Sequence, residues 1–324
     1  MKKIVLLILF IFILSGCNKN DMYDKTLFYM DTAIEVKLYD VDEEHANKAL
    51  SDIEKMYEKY HKLTDRYNEY EDVINVYYLN NVLKVNEKIE ISDELSEIIN
   101  YGIKMYDETD GYINIAMGNV IDVWKEYREK ESGVPKLYEL DKPIDISYIS
   151  LTDNIYLKKK DVKLDLGAYV KGYVTELVGK YLEDENINKY LINAGGNVKL
   201  GNKYRLKKYN VGLEEPFNTS NIYKTLSVEN VSIVTSGSYQ RYYEYDGNIY
   251  SHIINPKTLF PDNYTKSVTV ITENSAYADI MSTYLFMLPI EDGLKLVNEK
   301  EGIEAIWYSD QIYYSDSFDK YEQK

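Results

Sequence analysis

Cysteine and histidine are the scarcest chemically reactive residues in this chain. Its 324 residues include one cysteine, Cys17, and three histidines. A single cysteine excludes a disulfide within the chain and a site built from several thiolates, and three histidines disfavour a zinc site made of several imidazoles. His45 and His61 fall in a predicted amphipathic helix, where solvated or boundary positions are expected. His252 is therefore the candidate general base.

Positive charge is also in short supply. The chain has 38 lysines and arginines against 54 aspartates and glutamates, which gives a formal net charge of −16. An acidic surface of this size argues against nucleic acid as a partner and against electrostatic attachment to anionic lipid. The 35 tyrosines reflect overall composition and carry no functional assignment.

The apolar run near the N-terminus is too short to cross a bilayer. Residues 4–14 form an eleven-residue run, whereas a membrane-spanning helix needs about 20 residues. Two lysines precede the run, and the sequence LSGC, which ends at Cys17, resembles a bacterial lipoprotein signal. We expect residues 1–16 to be a signal peptide, Cys17 to be lipidated and residues 17–26 to be a tether. The lipid would hold the protein on the extracytoplasmic face of the cell membrane. An ordinary secretory peptide with a coincidental cysteine is the alternative.

The spacing of apolar residues predicts a mixture of helices and strands. Alternation over residues 34–38 indicates a half-buried strand, and the apolar stripe of residues 43–61 indicates an amphipathic helix. The other expected elements are helices over residues 92–107, after Gly167 and over residues 274–288, and strands around Leu191, Val211, Val231, Ile249 and over residues 267–272. These elements do not alternate as regular βαβ units. The predicted fold class is therefore α+β, as a single mixed domain over residues 27–324.

Familiar phosphate-binding motifs are missing, but four junctions rich in glycine or polar residues are present. They are LDLGAYVKG (164–172), LINAGGNV (191–198), TSGSYQRYY (235–243) and HIINPKTLFP (252–261). The first lacks the Gly-Lys-Ser/Thr ending of a P-loop, and the second does not contain GxGxxG. Glycine lets backbone N–H groups approach a phosphate, and a helix after Gly167 would point its positive end at one. For any single junction, a tight strand-to-helix turn is the preferred explanation.

The predicted helix over residues 274–288 carries polar side chains among apolar ones. Asp279 and Thr283 are four residues apart, so their side chains share one helical face and can converge on a cation that prefers oxygen ligands. The alternative is structural, because the hydroxyls of Ser282 and Thr283 can bond back to the preceding helical turn.

Seven ordered blocks of the sequence resemble those of the ApbE-type FAD:protein FMN transferases. They are MDTAIEV, LTDRYNEY with INVYYLN, TDGYINIAMGNVIDVW, LDLGAYVKGYVTE, LINAGGNV, TSGSYQRYYEYDGNIYSHIINPKTLFP and SVTVITENSAYADIMSTYLFML. The resemblance runs from about Met30 to Leu288. It implies a T-fold-related α+β domain with FAD bound in a cleft. It also implies an enzyme that splits FAD, joins FMN to a Thr or Ser of a target protein and releases AMP.

The resemblance also implies roles for individual residues. Asp279, Thr283 and the backbone carbonyl of Ala168 would hold Mg²⁺, with Mn²⁺ as a possible substitute, and His252 would be the general base. The residues expected to contact FAD are Met30, Tyr67, Gly111, Tyr112, Asn114, Asp165, Lys171, Gly195, Gly196, Ser236, Gly237 and Ile253. The acceptor would be an exported or membrane protein with a Ser/Thr-Gly-Ala-Ser/Thr segment.

Four positions depart from the family pattern. Asn255 and Asn114 stand where the family commonly has Asp, and Asp31 and Leu259 stand where it commonly has Gly. Asn keeps the shape of Asp without its charge, so local hydrogen bonds can persist there. Leucine is costly where φ is positive, so we expect the loop after Thr258 to take a different path.

Two other functions remain open at the level of sequence. A Mg²⁺-dependent FAD pyrophosphatase would use the same metal site, with water replacing the acceptor hydroxyl. A surface lipoprotein that only binds or stores FAD would not release AMP. A flavinylated electron carrier is disfavoured, because the chain contains no Ser/Thr-Gly-Ala-Ser/Thr segment of its own.

Overall fold

An eight-stranded antiparallel sheet forms the centre of the computed structural model, which describes residues 22–204 and 207–323. The strands are β1 Met22–Tyr29, β2 Thr32–Tyr39, β3 Lys88–Glu90, β4 Ile149–Thr152, β5 Ile155–Lys158, β6 Tyr190–Ala194, β7 Asn197–Leu200, β8 Tyr209–Glu215, β9 Asn218–Val228, β10 Val231–Gly237, β11 Tyr242–Tyr245, β12 Asn248–Ser251, β13 Ser267–Thr272, β14 Ile303–Tyr308 and β15 Ile312–Tyr314. The central sheet has the order β1-β2-β6-β7-β10-β13-β14-β15. Smaller sheets pair β11 with β12, β8 with β9, and β5 with both β3 and β4.

Eight α-helices accompany these strands in the described part of the chain. They are α1 Glu43–Thr64, α2 Val76–Asn81, α3 Asp93–Glu108, α4 Gly118–Lys130, α5 Leu137–Leu140, α6 Val170–Asp184, α7 Ser275–Phe286 and α8 Ile290–Asn298. Helix α1 begins at Glu43 because Asp42 caps it: the Asp42 side chain accepts a hydrogen bond from the His45 backbone N–H at 2.9 Å. Its inward face buries Ala46, Ile53 and Tyr57.

Both faces of the central sheet are covered, which explains why all six residues of β13 are buried. Val268 and Val270 belong to the larger apolar core, which includes residues of α6 and α7. Ile271, on the opposite face, belongs to a second core that includes residues of the β8–β9 hairpin. The strand therefore contributes to two layers at once. The consequence is a strand of an antiparallel sheet that is buried on both faces along its whole length.

The α+β prediction is confirmed by the antiparallel ladders and the separately packed helices. The strand predicted over residues 267–272 is β13 without a shift, and the helix predicted over residues 43–61 extends three residues further as α1. The helix predicted from residue 274 to residue 288 is α7, which begins at Ser275 and ends at Phe286.

The predicted tether is partly wrong. Residues 22–26 belong to β1, where they pair with β2 in the register Met22 to Tyr39. Leu27 of β1 is part of the main core, and Tyr23 and Tyr29 pack against it. The domain therefore starts earlier than predicted, because β1 both pairs with β2 and packs on the core. The predicted signal peptide, Cys17 and the rest of the tether lie outside the described residues. Within residues 22–204 and 207–323, no helix is long and apolar enough to cross a membrane.

Candidate active site

A cavity of about 910 Å³ lies where several connecting segments meet. The β1–β2 turn, the loop after α1, the segment before α6, the β6–β7 turn, the end of β10 and one face of α7 all contribute to its wall. A cavity of this volume is near the upper end of the range of about 300–1,000 Å³ for small-molecule sites.

The structure brings nearly all of the predicted site residues to this cavity. Those that line it are Met30, Tyr67, Tyr112, Asn114, Asp165, Ala168, Lys171, Gly195, Gly196, Ser236, Gly237, His252, Ile253, Asp279 and Thr283. Gly111 does not line it. Its φ of 76° instead shapes the turn that places Tyr112 at the wall, and its N–H donates to the Tyr106 carbonyl at 2.7 Å.

Asp279 is a buried carboxylate at the interface of α6 and α7. Its Oδ2 accepts a hydrogen bond from the Gly172 backbone N–H at 2.7 Å. Burial raises the pKa of Asp279, while the charge of Lys171 and the Gly172 N–H act in the opposite direction. Gly172 permits this contact, because a Cβ atom there would lie 2.4 Å from the Ser275 carbonyl oxygen and 2.6 Å from the Asp279 Cβ.

The neighbouring hydroxyls of Ser282 and Thr283 on α7 have different partners. Ser282 Oγ donates to the Asp279 carbonyl at 3.0 Å and lies 2.8 Å from Ser236 Oγ, so this hydroxyl is structural. Thr283 lines the cavity, and its Oγ1 lies 3.3 Å from Ser236 Oγ. Of the two sequence-level explanations for these hydroxyls, the structural one therefore holds for Ser282, whereas Thr283 faces the cavity.

The donor set at this end of the cavity fits a hard divalent cation. A carboxylate (Asp279), a hydroxyl (Thr283) and the backbone at Ala168 supply the oxygen ligands that Mg²⁺ prefers. Among the described residues there is no cluster of three or more His, Cys, Asp or Glu side chains. A bound Mg²⁺ would thus have few protein ligands, the arrangement common where substrate phosphates complete the coordination shell.

Arg66 is a site residue that the sequence reasoning missed. Its guanidinium is buried between two carboxylates, with Nη1 donating to Asp165 and Nη2 donating to Asp122 at 2.6 Å and to the Gly118 carbonyl at 2.9 Å. Asp165 Oδ1 also accepts from the Gly167 N–H at 2.8 Å. Asp165 therefore holds the loop that presents Ala168, in addition to facing the cavity. The available signal was an arginine directly before the predicted contact Tyr67.

Tyr67 is held from its backbone and from its ring. Asp65 Oδ1 accepts from the Tyr67 N–H at 2.7 Å, which fixes the loop after α1. The guanidinium carbon of Arg66 lies 5.2 Å from the ring centroid, and Lys125 Nζ lies 3.8 Å from it. Tyr67 is nevertheless 46% exposed, so part of the ring is free to contact a ligand.

His252 is oriented by the backbone of Arg241. The His252 N–H donates to the Arg241 carbonyl at 2.9 Å, and Nδ1 lies 3.2 Å from the same oxygen. Because a carbonyl only accepts, Nδ1 carries the proton and Nε2 is left as the basic nitrogen. Burial, together with the charges of Arg241, Lys171 and Arg128, lowers the pKa of His252 to about 4. The imidazole is therefore neutral at pH 7, and its pKa is lower than the ordinary value assumed from sequence.

His61 corrects the expectation that only one histidine is near the site. It lies in α1 but lines the cavity, and its Nδ1 accepts from the Met30 N–H at 3.3 Å. Met30 and Asp31 form the β1–β2 turn with φ of 54° and 56°, a conformation uncommon for residues other than glycine. His61 therefore supports a strained turn at the cavity wall.

The expected diversion of the loop at Leu259 is wrong. Leu259 has a φ of 64°, so the turn has the left-handed conformation despite the side chain. Its N–H donates to the Asn255 carbonyl at 2.7 Å and its carbonyl accepts from Trp124 Nε1 at 2.8 Å. These bonds and the packing of Leu259 against a small aromatic core offset a backbone cost of about 1–2 kcal/mol.

The two asparagines that replace aspartate retain hydrogen-bond networks. Asn255 Oδ1 accepts from the Lys257 N–H at 2.8 Å and its Nδ2 donates to Asp262 at 2.6 Å. Asn114 Oδ1 accepts from the Ala116 N–H at 2.9 Å, and its Nδ2 donates to the Ile144 carbonyl at 2.8 Å. Neither network requires a charge on the substituted residue.

Together, the fold and the cavity are those of a protein that binds a small-molecule ligand at the meeting point of several loops. The chain matches the ApbE family model over residues 30–307 and belongs to the ApbE family. Residues 1–18 match a prokaryotic membrane lipoprotein lipid attachment site, which indicates a lipid-anchored, membrane-associated protein.

Similar proteins extend over most of the chain. An FAD:protein FMN transferase of Klebsiella pneumoniae (strain 342) is 30% identical over 304 residues, which cover 90% of each chain. One from Haemophilus influenzae is 28% identical over 229 residues, 67% of this chain and 66% of the relative. The structure of the ApbE protein from Thermotoga maritima superposes with a TM-score of 0.83 at 23% identity and covers 94% of this chain and 100% of that one. Flavin transferase ApbE from Vibrio cholerae superposes with a TM-score of 0.78 at 21% identity, with coverage of 93% and 99%. These two structures establish the fold.

Proposed function

We propose that the chain is an FAD:protein FMN transferase, which moves FMN from FAD to a hydroxyl of a target protein and releases AMP. Family membership and the names of its relatives support this assignment. The observation that carries the proposal is that a buried carboxylate, Asp279, and a neutral imidazole, His252, line one cavity. Lys171 lies close enough to act electrostatically on both.

The proposed step is a substitution at phosphorus. The hydroxyl oxygen of an acceptor Thr or Ser bonds to the flavin-side phosphorus of FAD, and the bond from that phosphorus to the bridging oxygen breaks. AMP leaves with the electron pair of the broken bond. His252 Nε2 accepts the hydroxyl proton, because Nδ1 is committed to the Arg241 carbonyl. The product is FMN joined to the acceptor through a phosphoester.

Asp279, Thr283 and the backbone carbonyl of Ala168 would hold Mg²⁺, with Mn²⁺ as a substitute. When bound, the ion neutralises negative charge on diphosphate oxygens. Lys171 adds a point charge beside these groups, and the glycine pair of the β6–β7 turn lets backbone approach the ligand. Arg66 keeps the loop that carries Ala168 in place.

The flavin and adenosine parts of FAD would contact the remaining cavity wall. The proposed contacts are Met30, Tyr67, Tyr112, Asn114, Asp165, Gly195, Gly196, Ser236, Gly237 and Ile253. With Cys17 lipidated and the domain on the extracytoplasmic face, the acceptor would be an exported or membrane protein that carries a Ser/Thr-Gly-Ala-Ser/Thr segment.

The test is product analysis with purified protein, FAD, Mg²⁺ and a peptide that contains this acceptor segment. A peptide mass increased by FMN, with AMP in equal amount, supports transfer. Free FMN and AMP without peptide modification would show a pyrophosphatase, and FAD binding without AMP release would show a flavin-storage protein. The His252→Ala variant should lose peptide modification at neutral pH, and a normal rate would remove this residue from the mechanism.

A further inference from the structure

Two arginines lie at the end of the cavity that contains His252. Arg128, in the last turn of α4, is half-buried and lines the cavity. Arg241, just before β11, also lines the cavity, and its carbonyl is the group that orients His252. Neither arginine belongs to the residues assigned above to FAD, Mg²⁺ or proton transfer.

These arginines lack the compensation that other cations in this acidic protein receive. Arg66 is enclosed by Asp165 and Asp122. The guanidinium of Arg128, by contrast, forms no ion pair or hydrogen bond with any residue in the described ranges. Arg241, whose side chain is 55% exposed, has only long contacts with Asp31: Nη2 donates to the Asp31 carbonyl at 3.5 Å, and Nη1 lies 3.9 Å from the Asp31 carboxylate. A half-buried guanidinium without an anion beside it is costly unless a ligand supplies the anion.

The position of the pair relative to the other charged groups shows which part of a ligand it would meet. Lys171, Arg128 and Arg241 line the same cavity as His252 and Asp279. The charges of all three cations act on His252, and Lys171 also acts on Asp279. The Arg241 carbonyl orients the His252 imidazole, so the arginines belong to the part of the wall that holds the proposed base.

We propose that Arg128 and Arg241 form an anion subsite for the flavin-side phosphate of FAD, the group that is transferred. This inference rests on the proposed function and adds to it. The planar guanidinium fork matches two oxygens of a phosphate, and negative charge on those oxygens and on the leaving group must be stabilised during transfer. The pair would thus bind the substrate and stabilise the transition state.

The experiment compares equilibrium binding of FMN and riboflavin, which differ only in the phosphate. Both ligands are titrated against the wild type and against Arg128→Gln and Arg241→Gln, with calorimetry as the readout. Each substitution should weaken FMN binding by about 10-fold or more, as for the loss of a hydrogen bond to a charged group, while riboflavin binding stays unchanged. Arg128→Lys should restore only part of the FMN affinity, because it keeps the charge but not the fork.

Lys130→Gln is the matched control, since it removes one positive charge from the same helix outside the cavity. Lys130 pairs with Glu126 at 3.6 Å, and its side chain is 67% exposed. This variant should bind FMN and riboflavin as the wild type does. Thermal unfolding of every variant checks that the fold is retained.

Three results would overturn the proposal. Equal losses for FMN and riboflavin would mean that the arginines act through packing. Unchanged flavin binding with a raised KM for an acidic acceptor peptide would mean that the anion comes from the acceptor protein. No change in either measurement would mean that the subsite does not exist. Because the binding experiment needs no turnover, it remains decisive even if wild-type protein fails to modify any peptide, which would count against the proposed function alone.

Discussion

Two carboxylates with little exposure at the interface of α6 and α7 have different partners. Glu176, on α6, has its own cation: its Oε2 accepts from Lys199 Nζ at 2.9 Å and from the Ser275 N–H at 2.8 Å. Asp279, on α7, accepts from the Gly172 N–H but forms no ion pair with the described residues. Burial raises the pKa of Asp279.

The difference separates a structural acid from a functional one. A buried carboxylate with a lysine and a backbone donor costs little and fixes the helices. A buried carboxylate without a cation reduces the stability of the protein, and the arrangement persists where a ligand repays that cost. The comparison indicates that Glu176 serves packing, and it supports the proposal that Asp279 binds a cation, although both side chains lie at one interface.

The largest expected effect comes from Asp279→Asn. Without the carboxylate, AMP release at saturating FAD and Mg²⁺ should fall at least about 100-fold, the scale typical for the loss of a key electrostatic group. The same substitution should raise the melting temperature of the protein in EDTA, because the cost of burying a charge is removed. Turnover within a few-fold of wild type would contradict the assignment of Asp279 to the cation site.

Glu176→Gln should show the opposite behaviour. Breaking the pair leaves Lys199 buried without its partner, so urea denaturation should show a loss of about 3–5 kcal/mol in the free energy of unfolding. The activity of the folded fraction should stay within a few-fold of wild type. Glu126→Gln, which breaks an exposed pair with Lys130, is the control and should change stability by less than about 0.5 kcal/mol. If Glu176→Gln instead changed the dependence of activity on Mg²⁺ concentration without loss of stability, Glu176 would share the role proposed for Asp279.

Gly172→Ala sharpens the comparison by moving the two helices apart. The added Cβ would lie 2.4 Å from the Ser275 carbonyl oxygen and 2.6 Å from the Asp279 Cβ, so overpacking should cost about 1–3 kcal/mol. Because the Gly172 N–H also orients Asp279, the Mg²⁺ concentration for half-maximal activity should rise as well. A variant with reduced stability and unaltered Mg²⁺ response would show that the helix contact and the cation site are independent.

The smallest expected effect concerns pH and His252. Its pKa falls from an ordinary 6.5 to about 4 in the folded protein. Between these values the unfolded chain binds more protons, so the free energy of unfolding should rise with pH across this interval and fall on acidification. His252→Gln should flatten the dependence measured by urea unfolding from pH 4.5 to pH 6.5. If the free energy of unfolding depends on pH in the same way in His252→Gln as in the wild type, the pKa of His252 is not lowered by folding.

Local patterns predicted the elements well because their causes are local. The strand-forming sequence SVTVIT of β13 and the i, i+4 pair Asp279 and Thr283 are readable without a structure. Arg66 is different, since its partner Asp165 is 99 residues away and no spacing rule connects them. The prediction for the loop at Leu259 failed for a related reason. The hydrogen bond that supports its left-handed backbone is donated by Trp124, a residue 135 positions earlier. Long-range compensation is what the single sequence did not show.

The first hairpin also limits where the enzyme can work. Met22 follows Cys17 by five positions, with four residues between them, and five residue steps extend at most about 18 Å. Strand β1 then runs about 25 Å to the turn at Met30, which lines the cavity. With a lipid on Cys17, this short segment would keep the cavity close to the bilayer surface. Acceptors would then have to present their hydroxyl group within that distance of the membrane.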